Sequence, residues 1–208
     1  RAKKIITVSE FTKKELMEHY WIPEKKIVVT YEGIDEQLKI KNSKLKIIKE
    51  PYFLYVGNAY PHKNLERLME AASIANARLV LVGKEDLFYK RLKKPDNVLF
   101  FGEASDEQLV NLYDHAIALV CPSLMEGFGL PALEALSRGC PVLCSDIPVF
   151  HEILKDSVTY FDQTDMGDIV AKLKNARENR KTATLLSDCS WKTLARKTLQ
   201  VYEDSNCL

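Results

Sequence analysis

A chain of 208 residues with 46% hydrophobic side chains has room for one large domain, or one and a half smaller ones, around a substantial core. Its formal net charge of +1 argues against a protein built mainly to hold nucleic acid or an acidic membrane. No apolar run reaches the roughly 18 residues of a spanning helix, and the basic start Arg1–Ser9 reads as a strand with no secretory signal in it.

Lys3–Val8 is a short β-rich run. Ser9 can cap a helix from Glu10 to about His19, with Thr12 and Glu15 as a second capping option. Pro23 ends that unit, and Ile27–Thr30 is a strand candidate closed by Gly33. Residues 1–35 therefore read strand–helix–strand, too short for a core of their own. Residues 36–50 carry five lysines without a period and read as a solvated linker.

From Pro51 the pattern is regular. Tyr52–Val56, Arg78–Val82 and Val98–Phe101 are strands, each followed by a glycine. Asn64 is placed to cap a helix with Leu65, Leu68, Met69 and Ala72 on one face. Asp86–Lys93 is a short helix, and Ser105 with Gln108 forms a capping box for another. Ala116–Cys121 is a buried strand, Pro131–Arg138 a helix stopping near Gly139, and Pro141–Ser145 a further strand. Phe150–Leu154 reads as a helical turn, Val158–Phe161 as a last strand, and Asp165–Glu178 as a helix. At least one more helix lies within Ser187–Tyr202. Short apolar strands alternating with amphipathic helices predict an α/β fold, a doubly wound parallel sheet with helices on both faces.

In such a fold, ligands bind beyond the carboxyl ends of the strands. Three polar or glycine-containing stretches stand there: Gly57–Asn64, Gly83–Glu85 and Ser123–Glu134. The last places Gly127, Gly129 and the carboxylates Glu126 and Glu134 around a helix start, with Pro131 suited to the first helical position. Free N–H groups there favour anions, while carboxylates accept hydrogen bonds from sugar hydroxyls. Lys63 adds a point charge for a phosphate. Singly, each has a plain reading: a surface lysine, a hydrated loop carboxylate, a turn glycine, or an acid favoured by the helix dipole in the first turn, as for Glu134. Their joint occurrence at strand ends favours a ligand bearing both hydroxyls and phosphates.

Other chemistries lack their residues. There is no Walker A loop, Gly-x-Gly-x-x-Gly fingerprint or Gly-x-Ser-x-Gly elbow. His19, His62, His115 and His151 have no metal-ligand spacing, so no metal site and no cofactor is expected. Five cysteines without a Cys-x-x-Cys pair fit a reducing, cytoplasmic setting, and Cys121, Cys140 and Cys144 read as small buried hydrophobes.

These residues resemble the donor-binding half of the retaining glycosyltransferases of family GT4, which have the GT-B fold. Glu126–Glu134, Glu-Gly-Phe-Gly-Leu-Pro-Ala-Leu-Glu, resembles the Glu-x7-Glu motif of that family, and Gly139–Ser145 its follow-on strand. Tyr52–Leu65, with His-Lys-Asn-Leu, resembles the first loop of its C-terminal domain. Val28–Asp35 resembles the interdomain crossover, with Glu32 where Asn is more usual. Ile5–Leu16 resembles the end of the N-terminal domain, and Trp191–Tyr202 the closing helix.

The resemblance implies four parts: residues 1–35 as the tail of an acceptor domain, 36–50 as linker, 51–190 as donor domain, and 191–208 as a helix packing back toward the N-terminal part. It implies that Glu126 approaches the transferred sugar, Glu134 holds the ribose, and Lys63 neutralises the diphosphate as it leaves. Gly127, Phe128, Gly129 and Leu130 would present backbone N–H groups. Asn58, after Gly57, stands where many members carry Arg, so that Lys63 acts alone, Lys84 helps, or donor binding is weaker.

The implied partners are a nucleotide-diphospho-sugar donor and a glycan or lipid acceptor, not nucleic acid. Peripheral membrane association of the full enzyme and a dimer through the N-terminal segment are further expectations. The His-Lys-Asn loop and Asp146–Val149 resemble mannosyl- and rhamnosyl-type enzymes. Residues 1–208 alone are expected to bind donor but transfer poorly, because acceptor-side groups are absent. The alternatives are a GT-B-like epimerase or phosphorylase domain, or a non-catalytic nucleotide-binding module toward which Asn58 leans.

Overall fold

The computed structural model describes residues 2–34, 47–176 and 189–204. Strands β1 (Ile5–Thr7) and β2 (Ile27–Val29) are parallel and joined by helix α1 (Glu10–Tyr20). The remainder alternates in sequence: β3 (Phe53–Val56), α2 (Leu65–Ile74), β4 (Leu79–Val82), α3 (Leu87–Arg91), β5 (Val98–Gly102), α4 (Asp106–His115), β6 (Ala118–Cys121), α5 (Leu130–Ser137), β7 (Val142–Ser145), α6 (Pro148–Leu154), β8 (Thr159–Phe161), α7 (Met166–Asn175) and α8 (Trp191–Asp204). The expected elements therefore form, with ends shifted by a residue or two, except that the helix expected over Asp165–Glu178 ends at Asn175 and its last two positions lie outside the described residues.

Strands β3 to β8 make one parallel sheet in the order β5-β4-β3-β6-β7-β8. The two-residue period of each strand divides the side chains between its faces. Leu54, Val80, Val82, Leu119 and Val142 pack beneath α4, α5 and α6, where Leu112, Leu133, Phe150 and Leu154 are buried. Phe53, Tyr55, Leu79, Leu81 and Val120 face the other way, onto Leu68 and Met69 of α2 and Ile169 and Leu173 of α7. Both faces are covered, which is why the strands read as continuous apolar runs. Strand order reverses between β3 and β6, the place where such sheets open a crevice beyond their carboxyl ends. Among the described residues no helix is long and apolar enough to cross a membrane.

The small βαβ unit is closed by docking onto the large sheet's own chain. Ser9 caps α1, its Oγ accepting from the Thr12 N–H, so Thr12 lies inside the helix and the Thr12–Glu15 option is not used. Glu152 of α6 also caps α1: its two carboxylate oxygens accept from the N–H groups of Glu10 at 2.8 Å and Phe11 at 2.9 Å. A carboxylate at a helix N-terminus is favoured by orphan donors and dipole together. At the other end, Ile34 bridges Ser190 just before α8. Positions 36–46 of the linker expected over 36–50 lie outside the described residues, as does Cys207, and of the rest Ile48 is buried in the core, so the stretch is not solvated throughout. Cys121, Cys140, Cys144 and Cys189 are buried.

The capping role expected of Asn64 is corrected. Its backbone is left-handed, at φ 57°, and its side chain makes no cap. Its Nδ2 donates instead to the carbonyls of Pro122 at 3.1 Å and Gln163 at 3.0 Å, tying the loops that leave β6 and β8 to the start of α2. Two of the expected positions in α5 also move. The helix starts at Leu130, so Pro131 is its second residue and Glu134 its fifth, beyond the first turn where the dipole alone would favour an acid.

Candidate functional site

The loops after β3 and β6 meet because these strands are hydrogen-bonded neighbours at the reversal point. Between them lies a cavity of about 350 Å³. Gly57 and Asn58 line it from the β3 side, with Lys63 from the 3-10 turn Pro61–Lys63 that precedes α2. Glu126, Gly127, Phe128, Gly129 and Leu130 line it from the β6 side. Eight of the ten expected site residues are thus brought together. Lys84 is exposed, and neither it nor Glu134 lines the cavity. Glu134 lies one helical turn along α5 from Leu130, on the same face, and accepts a hydrogen bond from the buried Tyr113 hydroxyl at 2.9 Å.

The principal charge contact is an ion pair. Lys63 Nζ donates to Glu126 Oε1 at 2.6 Å, with the two side chains 15% and 18% exposed. The Ser123 hydroxyl donates to the same oxygen at 2.7 Å. Ser123 is itself buried, so it fixes Glu126 and is poorly placed to act as a nucleophile. Burial pushes the Cys121 thiol well above its ordinary range, which removes it as a thiolate. Among the described residues no group of three or more His, Cys, Asp or Glu is placed to hold a metal.

The backbone of the β6 loop is shaped for close approach. Gly129 sits at φ 105° and ψ 45° at the start of α5, with no side-chain cap there. A Cβ at Gly129 would lie 2.7 Å from Cε1 of the fully buried Phe150. Both conformation and space therefore require glycine. An uncapped helix start facing a cavity favours an anion or polar ligand. On the opposite wall the Tyr55 hydroxyl donates to the Asn58 carbonyl at 2.6 Å, and Asn58 Oδ1 accepts from the Tyr60 N–H at 3.3 Å. The Asn58 side chain thus shapes its own loop.

Several contributors were not among the expected site residues. The N-terminal unit supplies Val8 and Glu32 to the cavity lining. The Ser9 hydroxyl donates to the Gly127 carbonyl at 2.8 Å, although the sequence signals only a helix cap at Ser9. Tyr55 and Cys121 belong to strand patterns that signal core packing alone. Glu32 is half-buried, and desolvation raises its pKa above the ordinary glutamate value.

A raised carboxyl pKa means that the native state holds a proton the unfolded chain has released. Stability falls as pH rises through that window. Glu32→Gln is therefore expected to unfold at a higher temperature than the parent at about pH 7, the difference closing below about pH 4. Thermal melts across that range check it.

Residues 36–190 match the family model for "Glycosyl transferases group 1", and residues 1–38 match "Glycosyltransferase Family 4". The chain is 33% identical over 187 residues to the O-antigen chain mannosyltransferase RfbU of Salmonella typhimurium, covering 86% of this chain and 52% of that protein. It thus spans about half the length of that curated relative. In structure it is similar to a glycosyltransferase from Rickettsia africae, with TM-score 0.79 and 21% identity over 98% of this chain and 64% of that one. A second similar structure is HepE of Anabaena in complex with UDP and glucose, with TM-score 0.77 and 18% identity over 99% of this chain and 63% of that one.

Proposed function

The chain belongs to the glycosyl transferases of group 1, and from that footing we propose that it holds a nucleotide-diphospho-sugar for retaining transfer of the hexose to a glycan or lipid acceptor. The observation that carries this reading is the cavity at the β3–β6 reversal, where a fixed ammonium, a fixed carboxylate and an uncapped helix start converge. The diphosphate takes the Lys63 ammonium and the N–H groups around Gly129 and Leu130. Glu126, held by Ser123, accepts from hydroxyls of the sugar. Glu134, one turn deeper along α5, holds the ribose.

Charge developing on the departing diphosphate is met by a cation and helix dipole already in place, which is electrostatic preorganisation without a metal. Lys63 acts alone in this reading, since Asn58 is uncharged and Lys84 is exposed on the loop after β4, away from the β3 and β6 loops that form the cavity. A hexose is supported by the RfbU relative, named as a mannosyltransferase, and a paired nucleotide and sugar by the HepE complex.

A thermal-shift panel of GDP, UDP, ADP and dTDP tests the proposal. At about 100 times its Kd a true ligand adds about 2.7 kcal/mol. For a chain of this size that is a rise of about 5–10 °C. Glu134→Ala is expected to reduce the rise. No shift with any of the four overturns the reading.

A further inference from the structure

We propose that Glu32 is a specificity residue of this site, its carboxylate accepting a hydrogen bond from a hydroxyl of the hexose carried by the donor. The inference rests on the donor-binding reading and assigns one more part of that cavity.

The position of Glu32 is fixed from both sides. The ring of Tyr31 packs against Phe128 of the β6 loop, with centroids 6.1 Å apart. On the other side Gly33 is wedged against the start of α8, where a Cβ would lie 2.0 Å from the Trp191 backbone nitrogen. Ile34 then bridges Ser190. Glu32 is thus held beside the Gly127–Phe128 wall of the cavity, which it lines.

Its chemistry is unmatched there. Among the described residues, none hydrogen-bonds or ion-pairs with the Glu32 side chain. Lys63 is the one cation among the residues lining the cavity, and it is engaged by Glu126. A half-buried carboxylate without a partner is disfavoured by desolvation, and burial accordingly raises its pKa. A phosphate brought beside it would be repelled. A hydroxyl would offset the lost hydration by donating to it. Glu32 therefore suits the polyol part of the ligand and disfavours the diphosphate, which places the sugar toward the N-terminal unit and the diphosphate toward Lys63.

Calorimetric titration of GDP, UDP, ADP and dTDP, and of GDP-mannose, UDP-glucose, ADP-glucose and dTDP-rhamnose, into the parent chain, Glu32→Ala and Glu32→Asp tests this. In Glu32→Ala, the nucleotide sugar bound by the parent is expected to weaken about tenfold or more, while its free nucleotide stays within about twofold. Glu32→Asp recovers part of the loss. The free nucleotide is the internal control for folding. If it weakens as much as the conjugate, Glu32 supports the fold and the proposal falls. If the conjugate is unchanged in Glu32→Ala, the Glu32 assignment falls while donor binding stands. If none of these probes binds the parent, the donor reading fails and the Glu32 assignment with it.

Discussion

Lys63→Ala is expected to weaken nucleoside diphosphate binding about a hundredfold, which is about 2.7 kcal/mol. A unit charge about 4 Å from a phosphate near a protein surface contributes on the order of 4 kcal/mol, part of it offset by desolvation of the ammonium. Here the ammonium also belongs to Glu126, at 2.6 Å. A diphosphate reaching Lys63 shares it with that carboxylate, and a sugar hydroxyl donating to Glu126 offsets the loss. On the proposed donor reading, the donor's two halves support one another across a single ion pair.

The stability cost of Lys63→Ala lies between the limits for exposed and buried pairs, because the side chains are 15% and 18% exposed. About 1–3 kcal/mol follows, most of it from a carboxylate left with Ser123 as its remaining described partner. The double variant Lys63→Ala/Glu126→Ala separates the two effects. It is expected to regain part of the melting temperature and none of the diphosphate affinity. A parent-like affinity in Lys63→Ala would remove the lysine from the site.

The fold was legible because its signals are local. Runs such as Leu79–Val82 are buried at every position, and glycines follow β3 and β4 and end β5. Ser105 and Gln108 form the full capping box that their spacing predicts. The Ser123–Pro131 part of the glycine-containing stretch lines the cavity at the β3–β6 reversal, as its place after a strand and at a helix start leads one to expect. What was not legible is set by the fold at long range. Asn64 fails as a cap because its left-handed backbone turns its side chain onto Pro122 and Gln163. Ser9 reaches Gly127 across 118 positions, and Glu152 caps α1 across 142. Lys63 and Glu126 were each expected at the site, but their direct pairing needs β3 beside β6. Glu32 carried only the mark of a residue type unusual for its place. Its meaning depends on Tyr31 meeting Phe128 and Gly33 meeting Trp191.

Gly83→Ala is expected to cost about 3 kcal/mol and to lower the melting temperature by about 6–12 °C. Gly83 follows β4 where three strand ends are latched together. Its N–H donates to the Gly102 carbonyl at 3.0 Å, and the Gly57 N–H donates to the Val82 carbonyl at 2.9 Å. A Cβ on Gly83 would lie 2.1 Å from the Gly57 carbonyl oxygen and 2.9 Å from the Tyr89 hydroxyl, which itself donates to that carbonyl at 2.8 Å. The obstacle is backbone, so no rotamer change relieves it. Gly57 must move by more than 1 Å to reach ordinary contact, and the Tyr89 hydrogen bond goes with it. Gly57 and Asn58 are cavity wall, so nucleotide affinity falls together with stability. Gly102→Ala is the matched control. Nothing lies within 4 Å of its Cβ, and only its φ of 87° opposes a side chain, at about 1–2 kcal/mol. Melting curves that rank Gly83→Ala above or level with Gly102→Ala would show that the β3 and β4 ends are not pressed together as described. The rigid placement of Gly57 against Lys63 and Glu126 would then lose its physical basis.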